Sequence, residues 1–195
     1  LAAQSTSITL TDTNDQTPTY TSLDTTPSVN EGLTAVETVA ITDTDSGDSN
    51  TCSLGGNDAA FFSCSVTATQ YVLSFSSARD YETAADADAD NDYEVTVTIS
   101  DGANQGATIS YTVTVADVND QTPTYSSTNG VTQSIAEGNT AIDSFSITDT
   151  DTGNTFAACV GGADSDDASV TINAGTVTVA FANTPDYENA ADSDT

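Results

Sequence analysis

An internal repeat of about 105 residues constrains the fold of this 195-residue chain more than any other sequence feature. The sequence DTNDQTPTY at Asp12–Tyr20 returns as DVNDQTPTY at Asp117–Tyr125. Three further pairs of blocks follow in the same order, each offset by 106 residues: NEG at 30 and AEG at 136, ITDTDSG at 41 and ITDTDTG at 147, DYETAADAD at 80 and DYENAADSD at 186. Because separate blocks keep one order and one spacing, the sequence predicts tandem copies of one domain.

Apolar–polar alternation predicts that each copy is made of β-strands. The two clearest examples are Tyr93–Ile99 and Ile109–Val115, in which every second residue is apolar and the residues between are Glu, Thr or Ser. Such a period of two is typical of a strand with one buried face. Weaker alternation predicts strands at Ser7–Thr11, Val36–Thr42, Gln70–Phe75, Ala141–Thr148, Ala168–Ile172 and Thr176–Phe181. Clusters of Gly, Asn and Asp separate the strands, and no stretch has a helical stripe, so we expect an all-β chain of antiparallel β-sandwiches.

The phase of the repeat predicts three parts. Residues 1–15 correspond to the last strand and linker of a preceding repeat, residues 16–120 form a complete repeat, and residues 121–195 form a second, C-terminally incomplete repeat. The second copy lacks a counterpart of the strand at Tyr93–Ser100. An inner strand that is missing leaves backbone groups of its neighbours unpaired. We therefore expect a segment of a longer array; a subunit completed by a neighbouring chain's strand is the alternative.

The charge excludes several classes of function. The chain has 30 acidic residues against one basic residue, Arg79, and no histidine, for a formal net charge of -29. Nucleic-acid binding and attraction to anionic lipid both need basic residues. The missing histidine removes the usual general base and the commonest transition-metal ligand. No apolar run approaches the ~20 residues of a membrane span, so we predict no membrane insertion of this segment.

The acidic residues occur in motifs that resemble those of cadherin repeats, especially the cadherin-like repeats of large secreted or surface proteins of microbes. The motifs are a DxNDxxP linker, a Glu-Gly turn, a DxD, an Asp-x-Glu and an Asp-Gly after a strand. The residues that match them are Asp12, Asn14, Asp15, Glu31, Asp43, Asp45, Asp80, Glu82, Asp101, Asp117, Asn119, Asp120, Glu137, Asp149, Asp151, Asp186 and Glu188. The resemblance spans the whole chain and implies tandem Greek-key β-sandwiches of immunoglobulin-like architecture.

The resemblance implies that these residues bind Ca²⁺ at the junctions between successive repeats. One junction would combine Glu31, Asp80, Glu82, Asp117, Asn119 and Asp120 with Asp149 and Asp151, and the preceding one would combine Asp101 with Asp12, Asn14, Asp15, Asp43 and Asp45. The chemistry of the residues agrees, because carboxylate and amide oxygens are the ligands that Ca²⁺ prefers. Two carboxylates ~4 Å apart repel by about 4 kcal/mol at an effective dielectric near 20. A divalent ion bound between them makes the net electrostatic interaction attractive.

The predicted function is that of an extracellular, calcium-rigidified repeat segment of a cell-surface adhesin or stalk. The alternative is a structural subunit of an extracellular filament, and both allow contacts with other repeats or with like chains. Catalysis by a carboxylate pair needs only two acids. The acids nevertheless recur in each copy, whereas an active site normally occurs once, so no enzyme is predicted.

The cysteines and two other acidic runs lie outside these motifs. Cys52 and Cys64 are 12 residues apart and both lack a counterpart in the second copy, so we predict a disulfide that closes a hairpin in an oxidising compartment. Cys159 is predicted to be a small buried apolar side chain or to pair outside the segment. The runs Asp86, Asp88, Asp90, Asp92 and Asp164, Asp166, Asp167 are predicted to be solvated acidic loops, with an additional ion as the alternative.

Overall fold

The computed structural model describes residues 4–21, 23–47, 49–126 and 132–189. The chain divides into two compact units, a first unit of Leu1–Val118 and a second unit of Asn119–Thr195. The domain limits predicted at residues 15 and 120 remain predictions. None of the helices among the described residues has the length and apolar character needed to cross a bilayer.

The first unit is a sandwich of two four-stranded sheets. One sheet has the order β1-β3-β6-β5 and the other the order β2-β8-β7-β4. Neighbouring strands are antiparallel except β2, which runs parallel to β8 with Val29 opposite Val115. The strands are β1 Thr19–Thr21, β2 Ser28–Asn30, β3 Ala35–Thr42, β4 Thr51–Gly55, β5 Phe62–Val66, β6 Gln70–Phe75, β7 Asp92–Ser100 and β8 Ile109–Ala116. The predicted all-β sandwich is confirmed.

The alternate residues of the long strands form the core of the first unit. In β7 the predicted inward residues Tyr93, Val95, Val97 and Ile99 are all at most 1% exposed. The hydroxyl oxygens of Tyr71 in β6 and Tyr111 in β8 form a hydrogen bond across the two sheets. Since a buried hydroxyl without a partner costs free energy, this pairing allows two tyrosines to lie in an otherwise apolar core.

Cys52 and Cys64 form a disulfide in the structure, with a Cα–Cα distance of 6.2 Å. Cys52 lies in β4 and Cys64 in β5, and these strands belong to different sheets. The bond therefore joins the two sheets of the sandwich, and the expectation that it closes a hairpin is wrong. The reason is that β4 pairs with β7 and β5 with β6, so consecutive strands cross from one sheet to the other.

The second unit contains one four-stranded sheet among its described residues, with the order β9-β10-β12-β11. The strands are β9 Thr124–Tyr125, β10 Ala141–Thr148, β11 Ala168–Asn173 and β12 Thr176–Phe181. They correspond to β1, β3, β5 and β6 of the first unit. Their apolar faces are less covered: Ile147 and Val177 are buried, whereas Phe145 and Phe181 are half-buried.

Two further expectations differ from the structure. Ser7–Thr11 forms no strand, because no strand of the described residues pairs with it. Cys159 is exposed rather than buried, in a segment without regular structure. The absence of a helical stripe agrees with the only helices of the described residues, three single turns of 3₁₀-helix at Ala59–Phe61, Ser165–Asp167 and Tyr187–Asn189.

Candidate metal centres

Glu31 is the centre of the first candidate site. It follows β2 in a Glu-Gly turn and is only 8% exposed. Gly32 has a φ of 77°, a left-handed conformation that glycine adopts without steric cost. Oε2 of Glu31 accepts a hydrogen bond from the Tyr81 N–H at 2.8 Å, and Oε1 accepts one from the Val118 N–H at 2.9 Å. The two bonds fix the carboxylate between the Asp-x-Glu segment and the end of β8.

The Asp-x-Glu segment brings two more carboxylates to Glu31. One oxygen each of Glu31, Asp80 and Glu82 lie within 4.8 Å of one another. Asp80 also accepts a hydrogen bond from the Thr83 N–H, which holds the turn. Three carboxylates at this distance form an arrangement that can hold one divalent cation between them.

The second unit repeats this arrangement. Oxygens of Glu137, Asp186 and Glu188 lie within 4.8 Å of one another, and the Tyr187 N–H donates to Oε2 of Glu137 at 3.3 Å. Gly138 has a φ of 80°, close to the value of Gly32. All three acids are exposed here, whereas Glu31 is buried. The same residue types in the same order therefore produce a similar cluster in both units, but the carboxylates of the second unit are more exposed to solvent.

The linker and the DxD motif form a second candidate site in the first unit. Oδ2 of Asp45 accepts hydrogen bonds from the N–H groups of Asp15 and Gln16, both at 2.7 Å. Oδ2 of Asp12 accepts one from the Ser46 N–H, also at 2.7 Å. Oδ1 of Asp43 accepts one from the Asp45 N–H. The linker and the loop after β3 are thus held against each other by acids that the sequence motifs assigned to one site.

Asn14 and Asp101 complete this group through a residue that the sequence motifs did not include. Asn104 donates from its side chain to Oδ1 of Asn14 at 2.9 Å and to the carbonyl of Gln16 at 2.8 Å. The backbone N–H of Asn104 donates to Oδ1 of Asp101, and Asn14 donates to the Asp101 carbonyl. Sequence alone does not identify Asn104, because an Asn near an Asp-Gly turn is a common pattern. Its role becomes visible only in the folded chain, where it contacts the distant linker.

The linker residues of the second unit have similar contacts. Oδ2 of Asp151 accepts a hydrogen bond from the Gln121 N–H at 2.9 Å, as Asp45 does from Gln16. Oδ1 of Asp149 accepts one from the Asp151 N–H. Asn119 donates to Asn154, and Asp120 accepts from the Gln121 side chain. Asp117, the first residue after β8 in the first unit, is half-buried.

Backbone donors stabilise the charged form of two of these acids. The hydrogen bond from the Ser46 N–H lowers the pKa of Asp12. The N–H of Asn104, followed by that of Ala103, lowers the pKa of Asp101 and outweighs the opposing effect of burial. Both carboxylates are therefore ionised and able to bind a cation throughout the neutral range.

The one basic side chain of the sequence packs on aromatic rings. Arg79 is the sole Lys or Arg of the sequence. Its guanidinium carbon lies 5.2 Å from the centroid of the Phe61 ring and 5.9 Å from that of Phe75, which is a cation–π arrangement. A cation from solution can therefore compensate the grouped carboxylates.

The donor set fits Ca²⁺. Every candidate ligand is a carboxylate, amide or backbone oxygen, and Ca²⁺ binds six to eight such oxygens in flexible geometries. In addition, Oδ2 of Asp43 and Oδ1 of Asp151 are buried and have no hydrogen-bond partner in the part of the chain that the structure describes. A buried carboxylate oxygen without a donor is costly, and a metal ion is one way to satisfy it.

The acidic loop before β7 is organised rather than simply solvated. Oxygens of Asp86, Asp88 and Asp90 lie within 4.8 Å of one another, and Asp86 is 6% exposed. Asp86 accepts hydrogen bonds from the N–H groups of Asp90 and Asn91. The prediction of a solvated loop is therefore wrong for Asp86, which holds the turn together, while Asp88 and Asp90 are exposed as predicted.

The loop is also anchored to the sandwich by Asp58, a residue outside the acidic motifs of the sequence. Asp58 is 2% exposed and accepts hydrogen bonds from the N–H groups of Ala87 and Glu94. In the other acidic run, Asp166 and Asp167 belong to the 3₁₀-helix before β11, and Asp166 is exposed.

Comparisons with known proteins identify the fold. The chain is similar to a structure of protocadherin gammaB7 repeats EC3-6, a cis-dimer, with 25% identity and a TM-score of 0.56 over 91% of this chain and 45% of that chain. It is similar to mouse cadherin-23 EC22-24 with 23% identity and a TM-score of 0.57, over 89% of this chain and 56% of that one. For human CDH23 EC21-23 the identity is 19% and the TM-score 0.56, over 90% and 57%.

The class that these observations define is that of cadherin-like β-sandwich proteins. The chain has the fold of extracellular cadherin repeats, as the motifs of its sequence predicted. It spans about half the length of the solved structures it matches. No protein-family model and no curated protein matches the sequence.

Proposed function

We propose that this chain is a calcium-rigidified repeat segment of an extracellular adhesin or stalk. Ca²⁺ bound by the carboxylates described above stiffens the linkers at Asp12–Pro18 and Asp117–Pro123, so that the repeats project a distant part of the protein or contact like chains. The observation that carries the proposal is the Glu31 cluster: three carboxylate oxygens within 4.8 Å in a chain whose one basic residue packs on aromatic rings.

The extracellular location is supported by the disulfide and by the type of site. Disulfides form and persist in oxidising compartments. Calcium sites of extracellular modules have dissociation constants of about 10⁻⁴–10⁻³ M, so millimolar Ca²⁺ outside a cell fills them and cytosolic Ca²⁺ does not. The solved structures that resemble this chain include extracellular cadherin domains 3-6 of protocadherin gamma B2, which agrees with the same location.

Calorimetric titration of the calcium-free chain with Ca²⁺ tests the proposal. We expect binding with dissociation constants of about 10⁻⁴–10⁻³ M and a higher melting temperature in saturating Ca²⁺, because an ion that binds only the folded state stabilises it. Mg²⁺, which demands a stricter octahedral geometry, is the control and should bind more weakly. A melting curve and a small-angle scattering profile that are both unchanged by chelator would contradict the proposal.

A structural subunit of an extracellular filament is the second candidate. The observation that supports it is that a similar solved structure, that of protocadherin gammaB7 EC3-6, is a cis-dimer, which is a contact between like chains. Electron microscopy of the purified chain in Ca²⁺ separates the two candidates, because a filament subunit polymerises whereas a segment of a stalk remains dispersed.

A further inference from the structure

Three oxygen atoms of the first unit converge on one nitrogen atom, Nδ2 of Asn104. They are Oδ1 of Asn14 at 2.9 Å, the carbonyl oxygen of Gln16 at 2.8 Å and Oδ2 of Asp101 at 3.4 Å. A side-chain amide nitrogen has two N–H groups to donate and accepts nothing. Two neutral oxygens and one carboxylate oxygen are the kind of donor set that Ca²⁺ prefers, but the atom that all three contact here is an amide nitrogen.

The turn between β7 and β8 fixes the position of Asn104 without help from the linker. The backbone N–H of Asn104 donates to Oδ1 of Asp101 at 2.6 Å. The carbonyl oxygen of Asn104 accepts from the Asp101 N–H at 3.3 Å and from the Ser100 hydroxyl at 2.9 Å. Because these bonds lie within the turn, the amide is preorganised for the two oxygens of the linker.

The linker packs on the same turn at a second position. Gly106 is buried, and a Cβ atom there would lie 2.9 Å from the carbonyl oxygen of Pro18 and would overlap the hydroxyl of Tyr20. The Tyr20 hydroxyl also accepts a hydrogen bond from the Ile99 N–H at 3.4 Å. The linker is therefore held against the β7–β8 turn at two positions, and neither contact involves a metal ion.

The two sides of the linker differ in how their carboxylates are satisfied. Both oxygens of Asp101 accept hydrogen bonds, Oδ1 from the N–H groups of Ala103 and Asn104 and Oδ2 from the Asn104 side chain. By contrast, Oδ2 of Asp43, in the loop after β3, is buried and has no hydrogen-bond partner among the residues that the structure describes. A cation would satisfy Asp43, whereas the oxygens beside Asp101 already have a donor.

We infer that the side-chain amide of Asn104 takes the place of one cation in the linker site of the first unit. Asn14 and Asp101, which the sequence motifs assign to a calcium site, bind this amide instead. The linker therefore keeps its contact with the β7–β8 turn when no metal is present. The inference rests on the proposed function, because it divides the linker site into a calcium-binding side at Asp43 and Asp45 and a calcium-independent side at Asn104.

Asn104→Asp tests the inference, because it replaces the donating nitrogen by an acceptor oxygen of similar size. In chelator we expect the melting temperature to fall by about 10 °C, since the new charge faces Asp101 and the linker loses its donor. Ca²⁺ should restore the stability, and the dependence of the unfolding equilibrium on Ca²⁺ concentration should correspond to one more bound ion than in the unmodified chain. Asn104→Ala, which removes the donor without adding charge, should lower the melting temperature by only about 5 °C.

The matched control is Asn57→Asp. Asn57 is exposed, and its side chain donates to Oε2 of Glu94 at 2.9 Å, so this variant also places a carboxylate against a carboxylate, but outside the linker. It should bind as many Ca²⁺ ions as the unmodified chain. If Asn104→Asp binds no more ions than Asn57→Asp, or is equally stable in chelator, the inference is wrong. A lack of Ca²⁺ dependence in the unmodified chain would contradict the proposed function alone, because the difference between the two variants decides the inference.

Hydrogen exchange of side-chain amides, followed by NMR, gives an independent measurement. The Asn104 side-chain N–H groups should be protected in chelator and remain protected in saturating Ca²⁺, because the amide keeps its acceptors. The side chain of Asn57, which donates to one exposed carboxylate, should exchange faster in both conditions. Loss of protection at Asn104 on addition of Ca²⁺ would overturn the inference, since it would show that an ion displaces the amide from these oxygens.

Discussion

The hydroxyl oxygens of Tyr71 and Tyr111 lie 2.6 Å apart in the core of the first unit. The pair joins β6 of one sheet to β8 of the other, and both side chains are at most 2% exposed. Burial, which disfavours the tyrosinate, raises the pKa of Tyr71 to about 12 and also raises the pKa of Tyr111, where the bond to Tyr71 adds to the shift.

This pair predicts that the first unit loses stability in alkali. The pKa of Tyr71 is raised above its unfolded value of 10.0. The stability that its buried hydroxyl contributes is therefore fully present below pH 10.0 and is lost as the pH rises toward about 12. We expect a loss of roughly 2 kcal/mol in the free energy of unfolding over this range, measured by urea denaturation. The double variant Tyr71→Phe/Tyr111→Phe is the control, and a decline as steep as that of the unmodified chain would contradict the assignment.

Glu31→Gln should destabilise the first unit and weaken its calcium binding. The carboxylate accepts two backbone hydrogen bonds, and an amide replaces one acceptor oxygen by a donor that faces an N–H group. We expect a loss of about 1.5–3 kcal/mol, the range for hydrogen bonds to a charged group. Urea denaturation with and without Ca²⁺ measures both effects.

The matched control for Glu31→Gln is Glu94→Gln. Glu94 is exposed on β7 and accepts a hydrogen bond from the side chain of Asn57. This variant has the same change of charge outside the cluster. If the two variants bind Ca²⁺ equally well, Glu31 is not a ligand.

Removal of the disulfide should cost the first unit about 3 kcal/mol. Cys52 and Cys64 are separated by 12 residues, and a cross-link that closes a loop of this size removes that much conformational entropy from the unfolded chain. Cys52→Ser/Cys64→Ser, or a reducing agent, should lower the urea midpoint accordingly. Cys159→Ser, which changes the exposed free thiol, should leave the midpoint unchanged; an equal shift would show that the effect is not that of the cross-link.

The stability that Asp101 contributes should be lost in acid. Its pKa is lowered in the folded state, so its contribution is present above the unfolded value of 3.8 and disappears as the pH falls through the lower folded value. Melting temperatures of the unmodified chain and of Asp101→Asn, measured without Ca²⁺, should therefore converge below pH 3.8. Asp166→Asn, a change on an exposed 3₁₀-helix, controls for the net charge, and a constant difference across the pH range would contradict the prediction.

Sequence patterns located the strands that have a long run of alternating apolar residues, because this alternation does not depend on which strand is the partner. The predicted limits of β6, β10 and β12 agree with the structure to the residue. The short strands were not predicted, because a segment of two or three residues forms a strand only where a neighbouring strand pairs with it. Ser28–Asn30 forms β2 beside β8, whereas the similar Ser134–Ala136 lies outside any strand, since the described second unit has no strand to pair with it.

The candidate sites were only partly predictable for a similar reason. Repetition of the acidic motifs singled out Glu31, Asp45 and their counterparts, and the structure brings members of each predicted set into contact. The contribution of Asn104 and the burial of Asp58 depend on hydrogen bonds to segments far away in the sequence. Such contacts leave no local pattern, so they require the folded chain.

The cross-link between β4 and β5 also limits how far the first unit can extend under mechanical tension. A pulling force that unravels the sandwich straightens every residue except those between Cys52 and Cys64, because the covalent bond bypasses them. At up to ~3.5 Å per residue, the loop withholds about 40 Å of contour length. A unit with this cross-link lengthens under force through its other residues alone, and the residues inside the loop contribute only after the disulfide is reduced.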